Sequence, residues 1–111
     1  MSASVQSIAV DQAGGNTAEL IAARTGYKIE VIAFVLTVGG AVLTVKSTLQ
    51  DTTANTVRMT LVGEATFPTV YSYSGSVAAP AFNTAKSEGL ELVTGTAAAI
   101  VGFIVFRYVP A

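Results

Sequence analysis

The amino-acid sequence predicts an all-β domain, an antiparallel β-sandwich of the jelly-roll type. No window shows the 3.6-residue apolar period of an amphipathic helix, whereas β-branched and aromatic residues gather in short runs. Turn-forming residues separate these runs at intervals of about 8–12 residues, a spacing typical of sandwiches and jelly rolls. A chain of 111 residues has the size of one domain, so we expect residues 1–111 to form a single sandwich.

Glycine and proline residues mark the ends of the predicted strands. The Gly-Gly-Asn cluster at residues 14–16 forms a turn, and Gly39-Gly40 is the signature of a two-residue hairpin. Pro68 lacks a donor for the strand ladder, so we expect it at a strand start or an edge. Residues 1–10 are predicted to be an N-terminal arm or an edge strand. The other predicted strands are residues 17–23, 27–38, 41–48, 57–62, 67–73, 90–94 and 97–109.

The long predicted strand at residues 27–38 changes its pattern halfway. Lys28 and Glu30 alternate with apolar residues in its first half, as in a strand with one solvated face. In its second half, apolar residues occupy the face on which the charged residues lie, namely Ile32, Phe34 and Leu36. Both faces of this strand therefore require an apolar partner.

The final predicted strand is apolar on both faces as well. One face carries valines and Phe103, and the other carries Ile104, Phe106 and Tyr108. A chain of this length has one second sheet with which to cover one face, so we expect another copy of the chain to cover the other. The predicted oligomer interface consists of apolar side chains from both long strands: Ile32, Phe34, Leu36, Ile104, Phe106 and Tyr108.

The composition also favours protein partners. Charged residues make up 12% of the chain, against about 25% in typical domains, and hydrophobic residues make up 51%. The charges are scattered and sum to −1, so the basic patch that nucleic-acid binding requires is missing. The uncharged stretches 31–45 and 92–106 are shorter than the ~20 residues of a transmembrane helix. The N-terminus lacks the basic and apolar regions of a signal peptide. We therefore predict a homo-oligomer that binds neither nucleic acid nor membranes.

The residue types of most catalytic and metal sites are missing from the sequence. Histidine and cysteine are both absent, which excludes Ser-His-Asp and Cys-His catalysis and the usual zinc ligand sets. Glu88 and Glu91 could form a glycosidase pair, although solvated charges are the simpler interpretation. Asp11 and Asp51 lack the spacing of a calcium-binding loop. We predict a non-enzymatic protein without catalytic residues, a cofactor or a metal site.

Three segments share a pattern with a known group of proteins. Residues 16–31 read NTAELIAARTGYKIEV, residues 88–92 read EGLEL, and residues 101–109 begin with VGF and end with YV. These motifs resemble small structural proteins of tailed-phage virions, over roughly residues 14–109 but not within 49–76. The resemblance implies a capsid decoration (cement) protein or a head-fibre-like β-sandwich, and it brings no catalytic motif.

The resemblance also implies a location and a partner. The protein would be made in the host cytoplasm and sit on the capsid surface as a homo-oligomer, most simply a trimer, that clamps the major capsid protein. The two-faced strands support this oligomer, because cyclic closure buries apolar patches. The N-terminal segment mixes polar and apolar residues before a flexible turn, so we expect Ser4, Val5 and Ile8 to contact the capsid.

An alternative function remains open at Tyr71 and Tyr73. These aromatic residues fall on one face of a predicted strand, where they would either pack inside the protein or contact a ligand. If both are exposed, the chain is a carbohydrate- or receptor-binding module of a phage fibre or tail.

Overall fold

The computed structural model describes residues 4–39, 46–63 and 68–111, and it consists of β-strands joined by turns and loops. No helix occurs in this part of the chain, and hence none that could cross a membrane. The strands are β1 (Gln6–Ala13), β2 (Thr17–Ile21), β3 (Tyr27–Gly39), β4 (Lys46–Asp51), β5 (Val57–Val62), β6 (Thr69–Ser74), β7 (Phe82–Asn83), β8 (Leu90–Val93) and β9 (Ala99–Pro110).

The strands form two antiparallel sheets. In the first sheet the order is β1-β9-β3-β6, and the short strand β7 also pairs with β3. In the second sheet the order is β2-β8-β4-β5. Neighbouring strands are antiparallel at every described pairing. The predicted all-β, antiparallel class is therefore confirmed.

One apolar core draws its side chains from both sheets. Strands of a sheet direct alternate residues to each face, so the inward set of one sheet packs against the inward set of the other. The first sheet contributes Val10, Ile29, Val31, Phe34, Leu36, Val38, Ile100, Ile104 and Phe106. The second sheet contributes Ile21, Leu49, Leu61, Leu90 and Leu92.

A β-bulge at Ile32 reverses the alternation of β3. Val31 and Ala33 pair with consecutive residues of β9, so Ile32 is an extra residue in the ladder. Side chains alternate with a period of two, and one extra residue therefore exchanges the faces of everything that follows. Because of the bulge, Phe34 and Leu36 point into the core rather than to the side of the charged residues that precede them.

Gly102 allows β9 to approach β3 closely. Its φ of +156° is a backbone conformation that residues with a side chain rarely adopt. A Cβ atom at this position would overlap the carbonyl oxygen of Val35 and stand 2.9 Å from the carbonyl carbon. Only glycine leaves room for the backbone of β3 here.

The predicted hairpin at Gly39-Gly40 is wrong. β3 pairs with strands of the first sheet, whereas β4 pairs with β5 and β8 in the second sheet. The chain therefore crosses between the sheets after β3, and residues 40–45 lie outside the described part of the structure. Of the predicted strand at residues 41–48, the described part, residues 46–48, lies in β4, and β4 extends beyond the predicted end to Asp51.

Candidate interaction face

The first sheet presents an exposed apolar surface on the side that faces away from the second sheet. We call it the outer apolar face and define it by Val35, Val70, Val101, Phe103 and Val105. Val70 is 60% exposed, Val101 53% and Phe103 41%. Adjoining apolar side chains with this much exposure mark interaction surfaces more often than isolated ones do.

Strand register brings these side chains together. Thr37 of β3 pairs with Val70 on one side and with Val101 on the other, and Val35 pairs with Phe103. Directly opposed residues of antiparallel strands share a face and lie close together. The exposed apolar side chains of three strands thus form one continuous surface.

Polar residues border the outer apolar face. A shallow groove of about 460 Å³ runs beside Phe103 and is lined toward β6 by Ser72 and Ser74. At the other end of the sheet, the Arg107 guanidinium donates from Nε to Glu30 Oε1 at 2.9 Å. The outward side of the sheet is therefore charged before the bulge in β3 and apolar after it.

The side chains predicted to form an oligomer interface lie inside the domain, so this assignment is corrected. Five of them are at most 6% exposed, and Tyr108 is half-buried against the core. The prediction assumed an unbroken period of two through Ile32, but the bulge there exchanges the inner and outer faces. Self-association itself stays a prediction. The residues that were predicted at the interface, and that the structure places in or against the core, are Ile32, Phe34, Leu36, Ile104, Phe106 and Tyr108.

The residues predicted to contact a capsid lie at the start of β1. Ser4 and Val5 precede the strand and are exposed, Val5 to 54%. Ile8 pairs with Ile104 of β9 and packs partly against the core. Residues 6–10 are thus part of an edge strand, and within the described chain only Ser4 and Val5 lie before it.

The buried carboxylate of Asp51 forms an ion pair with the partly exposed guanidinium of Arg58. Asp51 is fully buried and accepts hydrogen bonds from Arg58 Nε at 2.9 Å and from Arg58 Nη2 at 2.7 Å. The backbone N–H of Ala85 donates to the same carboxylate at 3.1 Å. Hydrogen bonding to Asp51 raises the pKa of Arg58 despite its partial burial, and the charges of Asp51 and Glu88 add to this effect. Both oxygens of Asp51 are occupied by contacts that hold the fold together.

The two glutamates considered as a catalytic pair also make structural contacts. Glu88 Oε1 accepts the backbone N–H groups of Thr53 at 2.9 Å and Ala54 at 2.7 Å, which closes the turn after β4. Glu91 accepts a hydrogen bond from Gln50 Nε2 of the adjacent strand at 2.7 Å. Among the described residues, no group of three or more acidic side chains is placed to hold a metal ion.

Tyr71 and Tyr73 differ in their surroundings although both lie on the inner face of β6. The Tyr71 hydroxyl donates to Val62 O at 2.8 Å and accepts from Val62 N–H at 2.9 Å, so it links the first sheet to β5 of the second. Tyr73 is 38% exposed and stacks on Phe34 with ring centroids 6.4 Å apart. Tyr73 alone therefore offers part of its ring to a ligand.

Sequence reasoning assigned the wrong side of the first sheet to a partner. The reversal of alternation at Ile32 was visible in the sequence, and it is the signal of a bulge that would have placed Phe34 and Leu36 in the core. The exposure of Val101 and Phe103 on β9 had no such signal, because it follows from the register of β9 with β3. The chain matches none of the protein-family models, curated proteins or solved structures with which it was compared.

Proposed function

We propose that the chain is a non-enzymatic structural protein of a phage virion, a capsid decoration protein that self-associates and stabilises the shell. The observation that carries the proposal is the outer apolar face, where Val70, Val101 and Phe103 are between 41% and 60% exposed. Covering such side chains with a partner removes apolar surface from water and is favourable. The structural contacts of Asp51 and Glu88 fit a role that requires no catalytic group.

The proposed topology is a jelly roll. When the two-residue strand β7 is left out and the remaining strands are counted from 1 to 8, β8 becomes strand 7 and β9 becomes strand 8. The order is then 1-8-3-6 in one sheet and 2-7-4-5 in the other. A chain that alternates in this way between two four-stranded sheets follows the jelly-roll plan. Jelly rolls occur in viral capsid and lectin domains, so this topology supports a virion role by analogy.

In the proposed complex, the outer apolar face lies against the capsid shell and the N-terminal residues add further contacts. Ser4 and Val5 are exposed beside the free edge of the first sheet and can reach a neighbouring surface. The trimer expected from the sequence loses its structural argument, because the apolar faces on which it rested are buried. The proposal keeps self-association and capsid attachment.

Co-sedimentation with expanded capsids tests this proposal. The capsids are assembled from the major capsid protein encoded in the same genome. We expect the wild-type chain to pellet with the shells and Val101→Asp to remain in solution, because the substitution places a charge within the apolar face. Val57→Asp is the matched control, since Val57 is 50% exposed against 53% for Val101 but lies in the second sheet. Equal pelleting of the two variants would contradict the proposal.

A pocket at one side of the domain favours a second candidate function, a carbohydrate- or receptor-binding module of a fibre or tail. Phe34, Tyr73 and Phe82 line this pocket of about 300 Å³ together with Met59 and Arg58. Aromatic rings offer flat apolar surfaces, and a guanidinium has donors for hydroxyl or acidic groups. Glycan binding that Tyr73→Ala abolishes on an array would select this function over capsid decoration.

A further inference from the structure

The free edge of β1 exposes a row of unpaired backbone groups. The N–H of Gly14 donates to Ala98 O at 2.7 Å. This bond shows which of the opposed residue pairs between β1 and β9 are the hydrogen-bonded ones. Hydrogen-bonded positions alternate in an antiparallel ladder, so the even-numbered residues of β1 bond to β9. Ser7, Ala9 and Asp11 therefore direct their N–H and C=O groups away from β9. None of these groups has a hydrogen-bond partner among the described residues.

Of the other three sheet edges among the described strands, two are interrupted or occupied, and the third, β6, is two residues shorter than β1. β2 has a register shift between Glu19 and Ile21 and carries the charge of Glu19. At β5, the N–H and C=O of Val62 both bond to the Tyr71 hydroxyl. β6 begins directly after Pro68. In contrast, β1 pairs with β9 over eight residues without a register shift. A long, regular edge of this kind readily accepts another strand.

We infer that two copies of the chain join edge to edge, with β1 antiparallel to β1 of the second copy about a two-fold axis at Ala9. In this register Ala9 lies opposite the partner's Ala9, and Ser7 lies opposite the partner's Asp11. The three N–H groups and three C=O groups of each strand then meet those of the other strand and form six hydrogen bonds. The exposed backbone groups of Ser7, Ala9 and Asp11 are all satisfied.

Charge and existing contacts select this arrangement. Asp11 is the only charged residue of β1, and the two-fold register places it opposite a serine. Parallel pairing in register would instead bring two carboxylates side by side, which is unfavourable. A register centred on Val10 would require a bond to Ala13 O, which already accepts the side-chain amide of Asn16.

The joined sheet extends the surface on which the proposed function depends. Residues that face each other across antiparallel strands point to the same side, so the outer apolar faces of both copies lie on one side of a sheet that is eight strands wide. The inference rests on the self-association in the proposed function but not on capsid attachment. Strand pairing alone buries less surface than a standard interface, so we expect dissociation in the micromolar range or weaker.

Charge substitutions at Ser7 test the pairing by sedimentation equilibrium. Ser7→Lys places a positive charge opposite each partner's Asp11 and should tighten the dimer. Ser7→Glu places a negative charge there and should weaken it. Each dimer contains two such pairs, so we expect about a fivefold change in Kd in each direction, decreasing with added salt. Ser72→Glu is the matched control, because Ser72 is exposed on the same face at the opposite edge, and its Kd should equal that of the wild type.

A second variant tests the backbone bonds directly. Ala9→Pro removes the N–H at the centre of the predicted pairing, and that group is not used by β9. Proline is tolerated at such an edge position, so circular dichroism should show a folded chain while sedimentation shows a monomer. Ala9→Thr keeps the N–H and should remain dimeric.

The outcomes separate the inference from the proposed function. A wild-type chain that is monomeric at about 1 mM, a trimer, or a shift of Kd in the same direction for both Ser7 variants would overturn the β1 pairing. If Ala9→Pro is monomeric but still pellets with capsids, the pairing stands and capsid attachment is independent of it. If the dimer behaves as expected but never binds capsids, only the proposed function fails.

Discussion

Replacing Gly102 by alanine perturbs the contact between β3 and β9, the strands that carry most of the outer apolar face. The φ of +156° at Gly102 belongs to a region that is essentially restricted to glycine, and holding an alanine there costs about 1–3 kcal/mol. The new Cβ would also overlap the carbonyl oxygen of Val35, which forces the strands apart and sacrifices a ladder hydrogen bond worth about 1 kcal/mol. We therefore expect Gly102→Ala to lower the free energy of unfolding by about 2–4 kcal/mol, a large part of the ~5–15 kcal/mol of a typical domain.

Urea unfolding followed by circular dichroism measures this loss. Gly39→Ala is the matched control because Gly39 lies on the same pair of strands and its Cβ would meet no atom of the described residues within 4 Å. We expect the control to change stability by less than about 0.5 kcal/mol. A loss below about 1 kcal/mol for Gly102→Ala, with an unchanged dependence on urea, would refute the close approach of the two strands.

Substitutions at three further positions test the polar contacts. Asp51→Asn removes the charge that neutralises Arg58, whose side chain is 26% exposed, and should cost about 1.5–3 kcal/mol in thermal unfolding. A loss below about 0.5 kcal/mol would show that the pair is dispensable. The pKa of Arg58 is raised in the folded state. The stabilisation that its ion pair contributes is therefore fully present below the ordinary pKa of arginine, and it is lost only as the pH rises through the higher folded-state pKa. Tyr71→Phe should cost about 1–3 kcal/mol and speed amide exchange at Val62, and unchanged exchange would contradict the link between the sheets. Glu88→Gln should cost less than Glu88→Ala in the same unfolding assay, since the amide oxygen still accepts backbone N–H groups. Equal losses would contradict this hydrogen-bonding role.

The strand content was predictable because it depends on local properties. Val57, Met59 and Leu61 alternate with Arg58 and Thr60, and residues 57–62 form β5 within the predicted bounds. Residues 90–94 and 97–109 similarly correspond to β8 and β9, with ends displaced by one or two residues. Side-chain size and turn chemistry act over a few residues, and they sufficed for these elements.

The sheet pairings were less predictable because they depend on contacts distant in sequence. Gly39-Gly40 has the composition of a tight hairpin, yet β3 finds its partners in β9 and β6 while β4 belongs to the other sheet. The long pairing of β3 with β9 joins residues about 60 to 80 positions apart, which a local turn signal does not encode.

The candidate interface was misplaced for a physical reason that concerns a single residue. Treating Ile32 as an ordinary member of β3 put Phe34 and Leu36 on the solvent side, whereas treating it as a bulge puts them in the core. The change from charged to apolar residues on one face was the available signal. Because β9 is apolar on both faces, its own sequence did not show which face is covered, and only its register with β3 decides that Phe103 is exposed.

A reconstruction of capsids carrying the bound protein tests the central claim most directly. The claim is that the chain attaches to the shell through the outer apolar face of the first sheet. We expect density for the domain on the capsid surface with Val101 and Phe103 turned toward the major capsid protein. Density in which the second sheet faces the shell, or shells without bound protein, would contradict the account.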